Sequence, residues 1–406
     1  MLEPGNGFVA IVEGTMKKRK DRVVQKFLFS DEYVAENPTA YHQIDPKKAE
    51  EYIKVLAEEL RSGKWKHGEP HYKRIYSKNK TAAGKGKWRD IYVPSFRDHI
   101  VHHMLMQVCM PAFRRGMHPY CCGSVPGGGT KAVIKNCVRW FQNDKECRYF
   151  VKLDIRHFFD SIQPDILMDV LSRKIKDKMT LWVFDQIVHS APSACPIGYY
   201  PSPWLANLYL QDFDWFVEQK LYKERRGKRI KYVRHYIRFI DDILLIGTSK
   251  TDLHKAVKAM KKYLCDIGLS IKPTWEIKRI GEHQLINGQW RMKPGTYWCD
   301  FIGYKFCKDS IIMRDGIFLS AKRLAKKMSR TEHYTLWQCQ SINARIGWAK
   351  HCDSFGFMAK DIRPYIDLKT TRRIISDVDK KRKQRINEAC RFRANRQRND
   401  RSPQFS

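Results

Sequence analysis

The chain has 406 residues, 43% of them hydrophobic, which is enough for two or three packed subdomains. It carries 77 Lys and Arg against 43 Asp and Glu, and the net charge of +34 favours a polyanionic partner, nucleic acid first, over neutral or acidic ones. No apolar run approaches the ~18 residues needed to cross a bilayer. The first residues lack a signal-peptide core, so we expect a cytoplasmic protein with no membrane partner.

The 12 cysteines are scattered, and no pair has C-x-x-C spacing. Adjacent Cys121 and Cys122 suit neither an ordinary disulfide nor a zinc knuckle. The cysteines and the 14 histidines form no cluster in the sequence that resembles a zinc site. We therefore expect mostly buried, reduced thiols that pack as small hydrophobic side chains.

Residues 1–70 are predicted to be an N-terminal extension. The basic cluster at 17–20 indicates an arm that contacts nucleic acid, although a solvated run of charge has the same pattern. From Pro46 the pattern becomes helical, and Gly63 ends that helix.

Residues 71–94 predict two strands joined by a Lys- and Gly-rich loop, a composition that can close on phosphates. A helix follows from about Asp98 to Met110, with Val108 on its apolar side. The three glycines at 127–129 let a backbone approach a phosphate, but most glycine clusters are only flexible turns. The next predicted elements are listed in chain order: a helix at 130–143, a strand at 149–154, helices at 165–174 and 180–190, a Pro/Gly/Ser loop at 196–203, an apolar helix at 204–221 and a basic hairpin loop at 222–229.

Two adjacent carboxylates, Asp241 and Asp242, lie between two apolar runs, which predicts a strand, a tight turn and a second strand ending at Gly247. Burying a carboxylate without a partner is costly. A divalent cation is the natural compensation, and Mg²⁺ prefers carboxylate oxygens. The alternative is an ordinary hairpin turn that happens to contain two acids.

The rest of the chain predicts a helix at 251–265, a further strand at 268–272 and a short strand-like segment at 300–306. Residues 318–375 predict a small, basic helical unit. The last thirty residues are rich in Arg and Lys, which predicts a basic tail that orders on RNA.

Asp154 also follows an apolar strand, 87 residues before Asp241 (241 − 154). If the two strands are neighbours in one antiparallel sheet, the carboxylates meet at one edge. Two metal ions held there can activate a 3′-hydroxyl and stabilise a pyrophosphate leaving group. Taken alone, Asp154 has a second interpretation, as a strand-end residue that caps the next turn.

Residues 70–360 resemble reverse transcriptases with the right-hand polymerase fold. The resemblance lies in the run around Asp154 and in an aromatic-x-Asp-Asp box at 239–242, where Phe239 replaces the usual Tyr. It implies an α+β fold with fingers, a palm with an antiparallel sheet and a helical thumb. The implied bounds are fingers at 71–145, palm at 146–312 with a fingers insertion around 165–200, thumb at 313–375 and a basic C-terminal tail at 376–406.

The resemblance also implies three sets of site residues. The catalytic and metal-binding set is Asp154, Ile155, Asp241 and Asp242. The nucleotide-binding set is Arg89, Lys87, Phe159, Ile197, Gly198 and Lys272, with Lys85 as a helper. The primer- and template-binding set is Phe239, Ile240, Phe301, Ile302, Gly303 and Tyr304.

Two of these positions bear on substrate choice. Phe159 stands where the family places a ring that blocks a 2′-hydroxyl and so favours deoxynucleotides, unless it is simply a core residue. Ile197 stands where many members have Gln. An apolar residue there resembles the reverse transcriptases of diversity-generating retroelements and of bacterial defence systems, and in the former it accompanies low fidelity.

These features predict an RNA-directed DNA polymerase that copies a cognate structured non-coding RNA into cDNA in anti-phage defence. It would use dNTPs and two Mg²⁺ ions, for which Mn²⁺ can substitute, and an accessory protein can take part. The alternatives are an error-prone diversity-generating enzyme, template-independent or protein-primed DNA synthesis, and an RNA polymerase variant. A silent RNA-binding scaffold is disfavoured by the intact Asp154, Asp241 and Asp242. The RNA template, the primer and the oligomeric state stay open.

Overall fold

The computed structural model describes residues 46–77, 86–381 and 384. These divide into two compact units: unit 1 comprises the described residues up to Val133 together with Glu146–Arg279, and unit 2 comprises Ile134–Lys145 and the described residues from Ile280. The division at 279/280 falls inside the range predicted for the palm. The basic cluster at 17–20, Lys85 and most of the basic tail lie outside the described residues.

Unit 1 begins with a helix and a hairpin, as expected. Its first elements are α1 (Pro46–Arg61), β1 (His71–Ser77), β2 (Lys87–Val93) and α2 (Phe96–Arg114). The hydroxyl of Ser95 accepts from the backbone N–H of Asp98, so α2 starts earlier than predicted, and it also ends later. Val108 does not lie on its apolar side, since 45% of the residue is exposed.

Short helices and a second hairpin connect this part to the central sheet. In order, the elements are α3 (Gly129–Val138), a π-turn (Arg139–Asn143), β3 (Tyr149–Asp154), α4 (Phe158–Ser161), α5 (Pro164–Lys174), α6 (Lys178–Val188), α7 (Ser202–Tyr209), α8 (Gln211–Gln219), β4 (Tyr222–Arg225) and β5 (Lys228–Lys231). The single apolar helix predicted at 204–221 is wrong, because the backbone leaves helical geometry at Leu210. The break turns Gln211 and Asp214 of α8 into the interior.

The central sheet of unit 1 has four antiparallel strands in the order β6-β7-β3-β8. The remaining elements of this unit are β6 (His235–Phe239), β7 (Asp242–Gly247), α9 (Lys250–Asp266) and β8 (Ile277–Arg279). Helix α9 packs on β7 and β8 with the apolar face that its sequence predicts, and Leu253, Val257 and Met260 are fully buried.

The strand predicted at 268–272 is also wrong. The segment forms only an isolated bridge between Ile271 and Ile155. Pro273 follows at once and has no N–H to continue a ladder, so regular pairing resumes only at β8.

Unit 2 contains two small sheets and a helical group. Its strands are β9 (His283–Ile286), β10 (Gln289–Met292), β11 (Cys299–Phe301), β12 (Tyr304–Phe306) and β13 (Ile311–Met313). Its helical elements are α10 (Asp315–Met328), α11 (Leu336–Gly347), a 3₁₀ turn (Trp348–His351), α12 (Phe355–Phe357), a π-turn (Met358–Ile362) and a helix at 368–381. Their core consists of Ala321, Ala325, Met328, Ile342, Ile346, Ile362 and Ile366. The helical unit expected from residue 318 onward is thus confirmed as a helical group.

The thiols fit the expectation from the sequence. Nine of the eleven described cysteines are buried, and no disulfide joins any of the eleven. In the part of the chain that the structure covers, no helix combines the length and the apolar character needed to span a membrane.

We predict that Gly303→Ala destabilises unit 2 by about 2 kcal/mol more than Gly295→Ala. Both glycines have left-handed backbones, with φ of 84° and 72°, so alanine costs about 1 kcal/mol of strain at either site. Only at Gly303 would a Cβ collide with the Trp348 ring, whereas at Gly295 it meets no atom within 4 Å. Urea denaturation of the full chain, followed by tryptophan fluorescence, measures both; equal losses would contradict the packing argument.

Candidate active site

The structure brings the first acid and the paired acids to one edge of the sheet. Strands β3 and β7 are antiparallel neighbours, and Asp154 lies directly opposite Asp242. Asp241 is in the turn before β7, and its carbonyl accepts from the N–H of Ile155 at 3.3 Å. The predicted pairing of these strands is confirmed. The Ile155 side chain is buried, so only its carbonyl could serve a cation.

Ile240 and Asp241 form the two-residue turn, since Phe239 pairs with Asp242. Ile240 has φ of 59°, an unfavourable left-handed backbone for a β-branched residue. Gly123 packs against it so closely that a Cβ at Gly123 would lie 2.6 Å from Ile240 Cγ1. The strained turn is therefore held from outside by its neighbours.

Arg238 supplies much of that support from within the sheet. Its side chain is fully buried, and its Nη1 donates to the carbonyl of Ile240 at 3.0 Å. Nε and Nη2 donate to the two carboxylate oxygens of Asp214 at 2.7 and 2.6 Å. Nη1 also donates to Asn207 Oδ1 at 2.9 Å, and Nη2 to Cys121 Sγ at 3.3 Å. One guanidinium thus joins the turn to helices α7 and α8.

The ionisation of this cluster is fixed by its partners. Burial is the largest single influence on the pKa of Arg238 and would lower it, but the charge and hydrogen bond of Asp214, together with Cys121 and Tyr236, raise this pKa well above its ordinary value. Burial and the same carboxylate raise the pKa of Tyr236, whose hydroxyl donates to Asp214. Arg238 is therefore a permanent buried cation, Asp214 is its counter-ion, and Tyr236 stays neutral.

Asp154 is paired with Lys272, and it retains acceptor capacity. The Lys272 ammonium lies 2.7 Å from both carboxylate oxygens, but it donates a well-directed hydrogen bond only to Oδ2. Oδ1 is a buried oxygen without a hydrogen bond of its own. A buried carboxylate oxygen that accepts no hydrogen bond can serve as a ligand for a cation.

Asp241 shows the same need for positive charge. Burial raises the pKa of its carboxyl, and the neighbouring Asp154 raises it further, whereas Lys272 and Arg89 lower it. A divalent cation would offset both the burial and the repulsion. The donor set of Asp154, Asp241 and Asp242 therefore fits Mg²⁺, which selects carboxylate oxygens.

The three aspartates do not have ligand atoms that all lie within 4.8 Å of one another, whereas His283, Cys307 and Asp309 in unit 2 do. No pattern in the sequence pointed to the latter group. Asp309 Oδ1 lies 2.7 Å from His283 Nδ1 and accepts from the Cys307 thiol at 2.9 Å, which is closer than ligands around one ion usually lie. Hydrogen bonds to Asp309 thus already satisfy His283 Nδ1 and the Cys307 thiol, without an ion.

Strand β2 packs against the loop at 196–200. The N–H of Tyr92 donates to the carbonyl of Ile197 at 2.8 Å. Gly198 has φ of 118°, and a Cβ there would collide with the carbonyl of Tyr92, so only glycine fits. Arg89 is exposed on the same strand. Lys87 also lies on β2, but the structure does not describe its side chain.

Imidazole rings pack against the two tyrosines of this loop. The ring of Tyr199 lies 5.2 Å from that of His67 and 4.9 Å from that of His102, and the Tyr200 ring stacks on His103 at 3.8 Å. The Tyr199 hydroxyl lies 2.8 Å from the hydroxyl of Ser190. These contacts fix the loop that carries Ile197.

Phe159 is not a fully buried core residue. Its neighbour Phe158 occupies the core, whereas Phe159 is half-buried, with its ring centroid 5.5 Å from that of Phe158. Phe159 therefore retains an exposed ring surface five residues after Asp154.

The residues expected to contact a primer fall into two groups. Phe239 and Ile240 are half-buried beside the acids. Phe301 and Tyr304, each 1% exposed, pack in the core of unit 2, where the Tyr304 hydroxyl donates to the Trp348 carbonyl at 3.0 Å. Because these two side chains are buried, we expect any contact from this hairpin to come from its turn, where Ile302 is half-buried and Gly303 offers only backbone.

Sequence reasoning missed the residues that hold the turn. Arg238, Asp214 and Asn207 were not among the predicted site residues. The available signal was a cation inside an otherwise apolar strand, together with polar residues in the apolar stretch at 204–221. Their mutual contact could not be read from positions 24 and 31 residues apart.

The sequence model of one protein family, "Reverse transcriptase (RNA-dependent DNA polymerase)", matches residues 76–274. The group II intron-encoded protein LtrA of Lactococcus lactis subsp. cremoris is 28% identical over 225 residues, which cover 52% of this chain and 36% of that protein. The retron Ec73 reverse transcriptase of Escherichia coli is 25% identical over 314 residues, 73% of this chain and 86% of that one. The chain thus spans little more than a third of LtrA.

Among solved structures, apo telomerase from Candida tropicalis has a TM-score of 0.44 and 12% identity, with 77% of this chain and 64% of that chain covered.

We predict that Asp214→Ala lowers the free energy of unfolding by about 3–5 kcal/mol, because it leaves the buried Arg238 cation without its counter-ion. Asp169→Ala is the matched control, since it removes an exposed i,i+4 pair with Arg173 that is worth about 0–1 kcal/mol. Urea denaturation of the full chain measures both. A loss for Asp214→Ala no larger than for the control would show that the buried pair does not hold the fold.

Proposed function

We propose, from the match of residues 76–274 to the reverse transcriptase family, that this chain is an RNA-directed DNA polymerase. The observation that carries the proposal is the pairing of Asp154 with Asp242 across β3 and β7, with Asp241 in the adjoining turn. Three carboxylates at one sheet edge, next to a lysine and an arginine, suit a reaction whose main requirements are positioning and charge neutralisation.

Each residue of the edge then has a task. Asp154, Asp241 and Asp242 would hold Mg²⁺, which supplies Lewis-acid stabilisation of the attacking and leaving oxygens when bound. Lys272 neutralises Asp154 and offers an ammonium group to a phosphate at the same edge. The charge of Arg89 acts on Asp241, so its guanidinium serves the same region. Phe159 would close the sugar side of the pocket, and Gly198 lets Ile197 lie against β2.

The domain proposal follows the family layout. Residues 71–145 would form the fingers, 146–312 the palm and 313–375 the thumb. The sheet that carries the acids and the helical group beyond residue 314 support the palm and the thumb respectively.

For the template, we propose a cognate structured non-coding RNA copied into cDNA, with a role in anti-phage defence. The match to a bacterial retron reverse transcriptase over most of both chains supports an enzyme similar to the bacterial ones. The net charge of +34 supports a nucleic-acid partner beyond the few base pairs at an active site. Ile197 favours one second candidate, an error-prone reverse transcriptase of a diversity-generating retroelement.

We expect that Asp154→Asn, Asp241→Asn and Asp242→Asn each lower dNTP incorporation by about three orders of magnitude, because bound cations contribute several kcal/mol to transition-state stabilisation. The assay is incorporation of labelled dNTPs on a DNA-primed RNA template with Mg²⁺. Asp160→Asn, an exposed acid six residues after Asp154, is the matched control and should retain full activity. Equal incorporation by the wild type and the Asp241→Asn variant would refute the polymerase proposal.

We expect that Phe159→Ala raises the kcat/KM for NTPs relative to dNTPs by about 10- to 100-fold, since a steric contact in a pocket is worth about 1–3 kcal/mol of discrimination. Phe159→Tyr keeps the ring and should keep the wild-type ratio. If the ratio does not change in Phe159→Ala, the ring has a packing role; a wild type that already prefers NTPs would indicate the RNA polymerase variant.

A further inference from the structure

Strands β4 and β5 form a separate two-stranded hairpin, which we call the basic hairpin (residues 222–231). Its ten residues include one acid, Glu224, and six cations. The cations are Lys223, Arg225, Arg226, Lys228, Arg229 and Lys231. Every residue from 224 to 231 is exposed. The basic hairpin takes no part in the site described above.

The base of the basic hairpin is fixed to unit 1 by ion pairs. Lys223 Nζ donates to both carboxylate oxygens of Asp252 at 2.7 and 2.8 Å, and Lys231 pairs with Glu218. An isolated two-stranded hairpin is marginally stable in water. These pairs therefore hold it in place, and they neutralise the two cations at its base.

The cations at the tip are not neutralised in this way. Arg225, Arg226 and Lys228 form no ion pair with any residue that the structure describes. Arg229, by contrast, lies 3.8 Å from Glu224 and 4.8 Å from the Tyr222 ring. The outward end of the basic hairpin therefore concentrates three uncompensated positive charges.

Two features of the tip cost stability. Arg226 and Gly227 have φ of 51° and 71°, the two left-handed residues of a type I′ turn, whose first position favours Asn, Asp or Gly. An arginine there costs about 1 kcal/mol of backbone strain. Arg225 also lies directly opposite Lys228 in the strand register, and like charges facing each other are destabilising. A bound polyanion would relieve that repulsion.

We propose that the tip of the basic hairpin binds the phosphate backbone of a structured RNA, a contact separate from the active site. The identity of that RNA as the template rests on the proposed function. The contacts would be to phosphates, because the tip offers cations and no free aromatic ring for stacking. Only residues 232–234 separate β5 from β6, so such a contact would help to register the RNA relative to the strand that carries Arg238.

The test uses the full chain with Arg225→Gln, Arg226→Asn and Lys228→Gln combined. Asparagine suits the left-handed turn, so this variant should unfold at no lower temperature than the wild type. The probe is a fluorescent RNA stem-loop of about 20 base pairs, with affinity measured by anisotropy between about 50 and 200 mM KCl. We expect the slope of log K against log salt to become shallower by about 2–3, and affinity to fall at least about tenfold.

The matched control replaces three exposed lysines of α9, Lys250, Lys258 and Lys262, by glutamine, which removes the same charge from the same unit. Equal weakening by both triple variants would overturn the proposal in favour of a general charge effect. Unchanged RNA affinity in the hairpin variant would also overturn it and would point to an acidic protein surface. The single variant Arg226→Asn should give a third of the slope change without a stability cost.

Binding separates this proposal from the proposed function. Asp241→Asn should bind the stem-loop as the wild type does, even though its dNTP incorporation is lower by about three orders of magnitude. If the wild type fails to polymerise while the hairpin variant still loses RNA affinity, the polymerase proposal fails and the hairpin proposal stands.

Discussion

The buried ion pair between Arg238 and Asp214 is the constraint on which the site depends. Taking both charges out of water costs several kcal/mol for each ion. The pair is stable only because all three guanidinium nitrogens donate hydrogen bonds. The pair links β6, which carries Arg238, and α8, which carries Asp214, to the Ile240 turn, α7 and the Cys121 segment. Since moving any of these elements would leave a buried charge unsatisfied, the pair fixes how they meet.

This arrangement explains how a strained turn can carry the paired acids. Ile240 would not adopt a left-handed backbone by itself. The Arg238 donor on its carbonyl and the bare backbone of Gly123 make that conformation fit. Packing contacts within unit 1 thus offset the backbone strain at Ile240. They also hold Asp241 and Asp242 in a fixed position relative to Asp154.

The charges of unit 1 are divided between two places. At the sheet edge, acids predominate, with Lys272 and Arg89 close enough to act on them. On the basic hairpin, cations predominate and exceed their local partners. A small acidic patch in a strongly basic protein suits cations bound at the centre and a polyanion bound around it.

The sequence by itself determined the β1–β2 hairpin, strands β3, β6 and β7, most of the helices and the acids beside β3 and β7, because hydrophobic period and turn composition are local. Strands β8, β9, β10 and β13 were not predicted. It could not establish that the strands of Asp154 and Asp241 are neighbours; it predicted only that their carboxylates would meet if they were. It was wrong where long-range contacts override local pattern: Leu210 breaks an apolar stretch so that Asp214 can face Arg238, and residues 268–272 pair too briefly to form a strand.

Only the tertiary structure decided which side chains face the site. It buried Phe301 and Tyr304 in unit 2 and left Phe159 half-exposed. It also brought Arg238 together with Asp214 and Asn207, which lie 24 and 31 residues before it in the sequence. The physical reason is that burial and hydrogen bonding depend on neighbours in space, and a residue's type and period say only that it needs partners, not which partners it will find.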